Sequence, residues 1–166
     1  MLDGCCSRGV WPLWPRPIDG RSHLAAGDEL AAVVAEGHGL AVQVIESAKH
    51  IIIPDEPTQI EQQLIQLCDR PDLNALVFNG GTGIAPRDTT YDALSGLLEK
   101  TLPGFGEIFR YLSYQEIGSR AIASRAIAGV YHRKLVFSLP GSSGAVKLAL
   151  EKLILPELIH LVQLLT

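Results

Sequence analysis

The chain has 166 residues, of which 47% are hydrophobic and 19% are charged, and its formal net charge at pH 7 is -4. This length and composition are typical of one globular α/β domain with a substantial core. The lack of a basic excess argues against nucleic acid as a partner, and the apolar runs are too short to span a bilayer. The N-terminus lacks the continuous apolar segment of a secretory signal, so we expect a cytoplasmic protein.

The cysteines and histidines show no pattern that indicates a metal site. Cys5 and Cys6 are adjacent and Cys68 stands alone, so we expect free thiols rather than a disulfide framework. The five histidines likewise lack metal-ligand spacing. They are His23, His38, His50, His132 and His160.

The first part of the chain changes character near residue 22. Residues 1–22 contain cysteines, tryptophans and prolines without periodicity, so we predict an irregular or divergent segment there and a single domain over residues 23–166. Within that domain the apolar spacing predicts a short helix over residues 28–36. Strand-like pieces follow at residues 40–45 and 50–53.

From residue 54 onward, predicted helices alternate with predicted strands. Residues 58–68 are amphipathic and predict a helix, and the apolar residues 75–78 predict a buried strand. The remaining predictions are a helix over 91–100, a break at 103–106, helices over 107–115 and 119–128, a strand over 134–139, and helical segments over 145–165 that are kinked or broken at Pro156. This alternation favours a largely parallel sheet covered on both faces.

Two glycine loops each follow a predicted strand. The first, over residues 79–83, reads Asn-Gly-Gly-Thr-Gly, and the second, over residues 140–144, reads Pro-Gly-Ser-Ser-Gly. Glycines let a backbone approach a ligand and present its N–H groups to phosphate, although each loop is equally explained as a tight turn. If the sheet is parallel, both loops share one crevice at the carboxyl ends of the strands.

Two carboxylates near these loops are candidate Mg²⁺ ligands. Asp88 follows the first loop, and Asp55 ends an earlier strand-like piece. Mg²⁺ prefers one or two carboxylates together with phosphate oxygens. The alternatives are that Asp88 caps the following helix and that Asp55 is a surface turn residue. Arg87 is either a phosphate ligand or a solvated side chain.

Residues 79–90 resemble the signature TGGTG-x-x-x-RD-x-T of the MoaB/Mog family of molybdenum cofactor biosynthesis. The resemblance runs from residue 51 onward and looks most like the stand-alone MoaB branch. Further matching segments are PDE (54–56), PGFGEIFR (103–110), LSYQEIG (112–118), SRA (124–126), AG (128–129), LPGSSGA (139–145) and LPEL (155–158). The first strand of that family is not recognisable in residues 1–25.

The resemblance implies a three-layer α/β/α molybdopterin-binding domain that forms a homotrimer or homohexamer. It implies an adenylyltransferase with ATP and molybdopterin as substrates and Mg²⁺ as cofactor. Asp55 and Asp88 would then be the catalytic and metal-binding carboxylates. The implied binding residues are Gly80, Gly81, Thr82, Gly83, Ser124, Gly141 and Ser142.

Two other functions are compatible with the same residues. One is a protein of this fold that binds molybdopterin or a precursor without adenylylating it. The other is an interaction module without small-molecule chemistry, which the two intact glycine loops argue against.

Overall fold

The computed structural model describes residues 9–12, for which the backbone is placed, and residues 51–165. The helix predicted over residues 28–36 and the strand predicted over 40–45 lie outside the described residues. So do Cys5, Cys6, His23, His38 and His50.

Within the described residues, six strands form one mixed sheet. They are β1 (Gly9–Pro12), β2 (Ile51–Ile52), β3 (Ala75–Asn79), β4 (Lys100–Thr101), β5 (Ile127–Tyr131) and β6 (Lys134–Leu139). Their order across the sheet is β2-β1-β3-β6-β5-β4. β3 and β6 are therefore central, and they are the two strands that precede the glycine loops.

The α/β class is confirmed, but the described strands do not show a mostly parallel sheet. β3 and β6 pair in parallel, with Val77 opposite Phe137. The other four described neighbouring pairs are antiparallel. One antiparallel pair is the β5–β6 hairpin, whose turn residues His132 and Arg133 both have positive φ, 45° and 60°. Such a turn usually contains glycine or asparagine, so no hairpin was recognisable from residues 132 and 133.

Helices cover both faces of this sheet. They are α1 (Pro57–Cys68), α2 (Thr90–Leu97), α3 (Pro103–Ile117), α4 (Ser143–Ala149) and α5 (Leu155–Gln163). Side chains of β3 alternate between two cores. Val77 lies in a core with residues of α3 and α4, and Leu76 and Phe78 lie in a second core with residues of α1 and α2. The three-layer α/β/α arrangement is confirmed, because successive strand residues face opposite helical layers.

The N-terminal prediction needs a correction at four residues. Gly9–Pro12 form strand β1, with Val10 opposite both Ile51 and Phe78, although irregular structure was predicted over residues 1–22. A four-residue strand that ends in proline is too short to show periodicity. Its position is set by main-chain pairing with β3, which only the tertiary structure supplies.

Three predicted helix boundaries are also corrected. α2 ends at Leu97, because Lys100 and Thr101 pair with β5 as an edge strand. α3 begins at Pro103 instead of after a break, since proline is favoured in the first turn of a helix. Of the helix predicted over residues 119–128, only a 3₁₀ segment, Gly118–Ala123, is present, and the rest enters β5.

The C-terminal segment stays helical across Pro156. A π-helical stretch, Leu150–Ile154, joins α4 to α5, and Pro156 lies in the first turn of α5, where its missing N–H is tolerated. The prediction was a kink or a break at Pro156, and the structure shows no break there. None of the helices in the described part of the chain combines the length and apolarity that a membrane span requires.

Candidate functional site

The two glycine loops leave the same edge of the sheet. β3 and β6 are parallel neighbours, and the Gly80 N–H donates to the Leu139 carbonyl at 2.9 Å. Both loops therefore begin at the same edge of the sheet, and a crevice that they share stays a prediction. In open α/β sheets this edge, at the carboxyl ends of parallel strands, is where ligands bind.

Two glycines of the first loop adopt backbone conformations that other residues rarely take. Gly80 has a φ of 91° and Gly81 a φ of 62°. A methyl group on Gly81 would also lie 2.5 and 2.8 Å from the carboxylate oxygens of Asp55. Both the dihedral angle and the close approach require glycine at position 81.

The carboxylate of Asp55 holds this loop to the start of α2. Its Oδ1 atom accepts hydrogen bonds from the Thr89 backbone N–H at 3.4 Å, from Thr89 Oγ1 at 3.0 Å and from Thr90 Oγ1 at 2.9 Å. Asp55 is therefore more than a surface turn residue. The contacts observed for this oxygen are structural, because they connect the turn after β2 with the first turn of a distant helix.

Asp88 belongs to the loop rather than to the helix cap. Its Oδ2 atom accepts a hydrogen bond from the Ala85 N–H at 3.3 Å. The same atom would lie only 2.5 Å from a methyl group placed on Gly83. The residue at the N-cap of α2 is Thr89, which makes no side-chain capping bond. Within the described residues, the Oδ1 atom of Asp88 receives no hydrogen bond, so it remains available to a ligand.

Arg125 contacts the main chain of the first loop. Its Nε donates to the Thr82 carbonyl at 3.0 Å, and its Nη2 donates to the Gly83 carbonyl at 2.7 Å and more weakly to the Asp88 carbonyl at 3.4 Å. It thereby connects the C-terminal end of the first loop with the segment that leads to α2. Arg125 lies within the matching segment SRA, but no role was predicted for it from the sequence. Its isolation was an available signal, since it is the single charged residue between positions 121 and 130.

The same guanidinium is held by side chains of α2. Nη1 and Nη2 donate to the two carboxylate oxygens of Asp92, at 2.9 and 3.0 Å, and the guanidinium lies 4.7 Å from the centre of the Tyr91 ring. This bidentate pair with a stacked ring is a geometry that lysine cannot reproduce. Arg125 therefore connects the loop, α2 and the segment that leads into β5.

Four consecutive main-chain donors in the first loop are not used within the described structure. The N–H groups of Gly81, Thr82, Gly83 and Ile84 have no acceptor among the described residues, whereas Gly80 and Ala85 on either side are both bonded. Successive free N–H groups next to left-handed glycines form a concave anion-binding surface. This arrangement favours phosphate.

An open pocket of about 500 Å³ lies beside the loop. Its charged lining residues are Asp88, Asp92 and Arg125, and its apolar lining residues include Pro57 and Ile84. Of the two predicted metal-binding carboxylates, Asp88 lines this pocket and Asp55 does not. This volume lies within the range of small-molecule sites in proteins.

The other predicted binding residues flank the first loop. Ser142 caps α4 by accepting from the Ala145 N–H at 3.3 Å, and Gly141 precedes it in the loop that leaves β6 beside Gly80. Ser124 is half-buried and directly precedes Arg125. The fold therefore brings these residues to the loop region, while their contact with a ligand stays a prediction.

The donor set fits a divalent ion that enters with a phosphate ligand. In the described residues no three His, Cys, Asp or Glu side chains converge into a metal-binding cluster. Mg²⁺ usually takes one or two carboxylates and completes its coordination with water and substrate phosphate. Oδ1 of Asp88 satisfies that requirement, whereas Oδ1 of Asp55 accepts three hydrogen bonds.

Comparison with known proteins identifies the family. A family model described as "Probable molybdopterin binding domain" matches residues 25–160, so the match includes residues 25–50, which the sequence resemblance did not reach. The chain is 54% identical over 130 residues to molybdenum cofactor biosynthesis protein B of Halalkalibacterium halodurans, covering 78% of this chain and 72% of that protein. It is 52% identical to the protein of the same name from Bacillus subtilis, covering 75% and 76%.

Solved structures agree with the sequence relatives. A crystal structure of molybdenum cofactor biosynthesis protein B is 53% identical with a TM-score of 0.65, covering 67% of this chain and 70% of that chain. The tungsten cofactor synthesizing protein MoaB from Pyrococcus furiosus is 37% identical with a TM-score of 0.62 over the same shares. The chain therefore belongs to the molybdopterin-binding domain family that includes these B proteins of molybdenum cofactor biosynthesis.

Proposed function

We propose that this chain acts in molybdenum cofactor biosynthesis as a molybdopterin adenylyltransferase. It binds molybdopterin and Mg-ATP, transfers AMP to the terminal phosphate of molybdopterin and releases pyrophosphate. The observation that supports this best is the run of four free N–H groups at residues 81–84 beside a pocket that contains Asp88. Family membership and the names of the relatives support the pathway, and the loop geometry supports phosphate as the bound group.

The proposed reaction needs no general base from the protein. A phosphate monoester has a second pKa near 6, so the nucleophilic oxygen is already deprotonated at pH 7. That oxygen forms a bond to the α-phosphorus of ATP, the bond to the bridging oxygen breaks, and pyrophosphate leaves with the electron pair. This agrees with the described site, whose lining residues contain no histidine.

The task left to the protein is to bring two anions together. The N–H groups of residues 81–84 stabilise one phosphate by hydrogen bonds and hold it in a fixed orientation. Mg²⁺, which enters with ATP, would be held at Oδ1 of Asp88 and would offset the negative charge of the phosphates. Preorganised donors and charge compensation account for most catalysis in phosphoryl transfer.

A second function is favoured by one feature of the site. Asp55, the other predicted metal carboxylate, is occupied with Thr89 and Thr90 and does not line the pocket. A pocket that only one of the two predicted metal carboxylates lines is also consistent with a protein that binds molybdopterin or a precursor without transferring AMP. The two functions differ in pyrophosphate release and share the binding of the pterin phosphate.

The deciding experiment follows pyrophosphate release from molybdopterin and Mg-ATP. We compare the wild-type chain with Asp88→Asn and with Asp69→Asn, which changes an exposed aspartate at the end of α1. Adenylyl transfer predicts release that requires molybdopterin, falls by about 100-fold or more in Asp88→Asn, and is unchanged in Asp69→Asn. Molybdopterin binding without release would instead establish the binding protein.

Assembly into a homotrimer or homohexamer remains part of the proposal. The apolar C-terminal stretch over residues 153–165 is largely packed on the core, with Ile159 and Leu164 exposed. The exposed face of α3 gives further support, since Ile108, Tyr111 and Tyr114 are each about half or more exposed. Light scattering of the full chain tests this, and a mass of 17.9 kDa, that of one chain, would contradict it.

A further inference from the structure

Arg125 contacts the side of the first glycine loop that carries its carbonyl groups. We infer that Arg125 is a positioning residue: by holding the carbonyl oxygens of Thr82 and Gly83 it aims the N–H groups of Gly83 and Ile84 at the phosphate ligand. The inference rests on the proposed function of this loop as a phosphate site. It assigns to Arg125 an orienting role instead of direct contact with the substrate.

Peptide geometry supplies the first step. In a planar trans peptide the C=O and the N–H of the same unit point in opposite directions. The Thr82 carbonyl shares its unit with the Gly83 N–H, and the Gly83 carbonyl shares its unit with the Ile84 N–H. There is no cis peptide bond in the described chain. Because both carbonyls point at the guanidinium, at 3.0 and 2.7 Å, both N–H groups point away from it.

The bonding of Arg125 supplies the second step. Each of its three guanidinium nitrogens already donates to a carbonyl or to a carboxylate oxygen of Asp92. The pair with Asp92 also neutralises its charge within the pocket. A phosphate therefore gains little from Arg125 directly, and the effect of this residue on the ligand passes through the orientation of the loop.

Few side chains could hold the loop carbonyls and the Asp92 carboxylate together. One side chain must donate hydrogen bonds to two carbonyl groups and a carboxylate simultaneously, which requires the planar guanidinium of arginine. Lysine keeps the charge but presents a single ammonium group. The Arg125→Lys variant therefore keeps the positive charge at this position while it removes the bonds that orient the loop.

The chain contains a matched control for this substitution. Arg70 also makes a bidentate pair with an aspartate, Asp72, and its side chain is 27% exposed against 29% for Arg125. It lies in the loop after α1 and contacts no residue of the glycine loop. Arg70→Lys therefore removes an equivalent bidentate arginine–aspartate pair at a position away from the glycine loop.

The test uses the full ¹⁵N-labelled chain and inorganic pyrophosphate as the probe. In Arg125→Lys we expect the amide signals of Gly83 and Ile84 to shift before any ligand is added, while that of Val136 in β6 stays in place. We expect the Kd for pyrophosphate to rise by about 10-fold or more, as for the loss of one or two well-aimed hydrogen bonds. Arg70→Lys should match the wild type in both measurements.

The outcomes separate this inference from the proposed function. Unchanged Gly83 and Ile84 signals, or an unchanged Kd, in a folded Arg125→Lys variant overturns the inference alone. A wild-type chain that binds no pyrophosphate overturns both. A wild-type chain that binds pyrophosphate but transfers no AMP overturns the proposed transferase and leaves the inference standing.

A second variant covers the case in which Arg125→Lys does not fold. Asp92→Asn weakens the anchor of the guanidinium and changes a side chain that is 63% exposed, so the fold should tolerate it. We expect the same two amide signals to shift in the same direction by a smaller amount. Gly83 and Ile84 signals that match the wild type in this variant would overturn the inference.

Discussion

Oδ1 of Asp55 accepts a hydrogen bond from Thr90 Oγ1 at 2.9 Å, between residues 35 positions apart in the chain. The bond connects the turn after β2 with the first turn of α2, and Gly81 lies against both side chains. Asp55 was predicted from the resemblance as a catalytic and metal-binding residue. The contacts of its Oδ1 atom connect two distant segments, which is the basis of the first prediction, and its catalytic and metal-binding roles stay predictions.

Asp55→Ala should lower the free energy of unfolding by about 1–3 kcal/mol, because the hydroxyl of Thr90, a residue only 6% exposed, loses its acceptor. Urea unfolding of Asp55→Ala, Thr90→Val and the double variant measures the effect. We expect the double variant to be more stable than the sum of the single changes predicts, since both remove the same bond. Strictly additive changes would show that this hydrogen bond does not contribute to stability.

Gly81→Ala should destabilise the fold strongly, by about 2–5 kcal/mol, because alanine is strained at a φ of 62° and its methyl group would overlap the Asp55 carboxylate. Gly96→Ala is the matched control. It lies in α2 with nothing within 4 Å, so it should stabilise the chain by about 0.5–1 kcal/mol. Thermal and urea unfolding of both variants give the comparison. Similar stabilities for the two variants would contradict the described loop conformation.

Gly83→Ala should reduce activity more than stability. A methyl group there would lie 2.5 Å from Oδ2 of Asp88, and the flexible carboxylate would move rather than the backbone. We expect a loss of stability of about 1 kcal/mol, from the weakened bond with the Ala85 N–H, and a fall in pyrophosphate release of about 10-fold or more. The control is Gly104→Ala, which has open space around it. Normal release in Gly83→Ala would mean that the observed position of Asp88 is not required.

Cys68 should make the folded chain sensitive to alkaline pH. Burial raises the pKa of its thiol from 9.0 to about 11, and the residue is 6% exposed. The unfolded thiol ionises above pH 9 while the folded thiol stays protonated, so its stabilising contribution is complete below pH 9. It is lost as the pH rises to about 11, by up to about 1.4 kcal/mol per pH unit.

The measurement is urea unfolding of wild type and Cys68→Ala between pH 8 and about 11. Other groups titrate in this range, so the test is the difference in slope between the two proteins. We expect a steeper decline for the wild type. Equal slopes would show that the thiol has the same pKa in the folded and unfolded chain.

The sequence alone determined the central strands and the family. The apolar runs at 75–78 and 134–139 were identified as strands because buried strands need continuous apolar residues, and the structure places strands at Ala75–Asn79 and Lys134–Leu139. The glycine loops were recognisable because unusual backbone conformations restrict the residue type. The family was visible from motifs spread over residues 51–158.

The tertiary structure decided strand direction and the roles of individual side chains. The antiparallel β5 lacked a recognisable turn signal, and β1 gained its position from pairing with β3. Arg125 was missed because its partners are carbonyl oxygens 37 to 43 residues earlier in the chain, which no local pattern encodes. Motifs report local backbone requirements, whereas the bonds of Asp55 and Arg125 exist only once distant segments have been packed together.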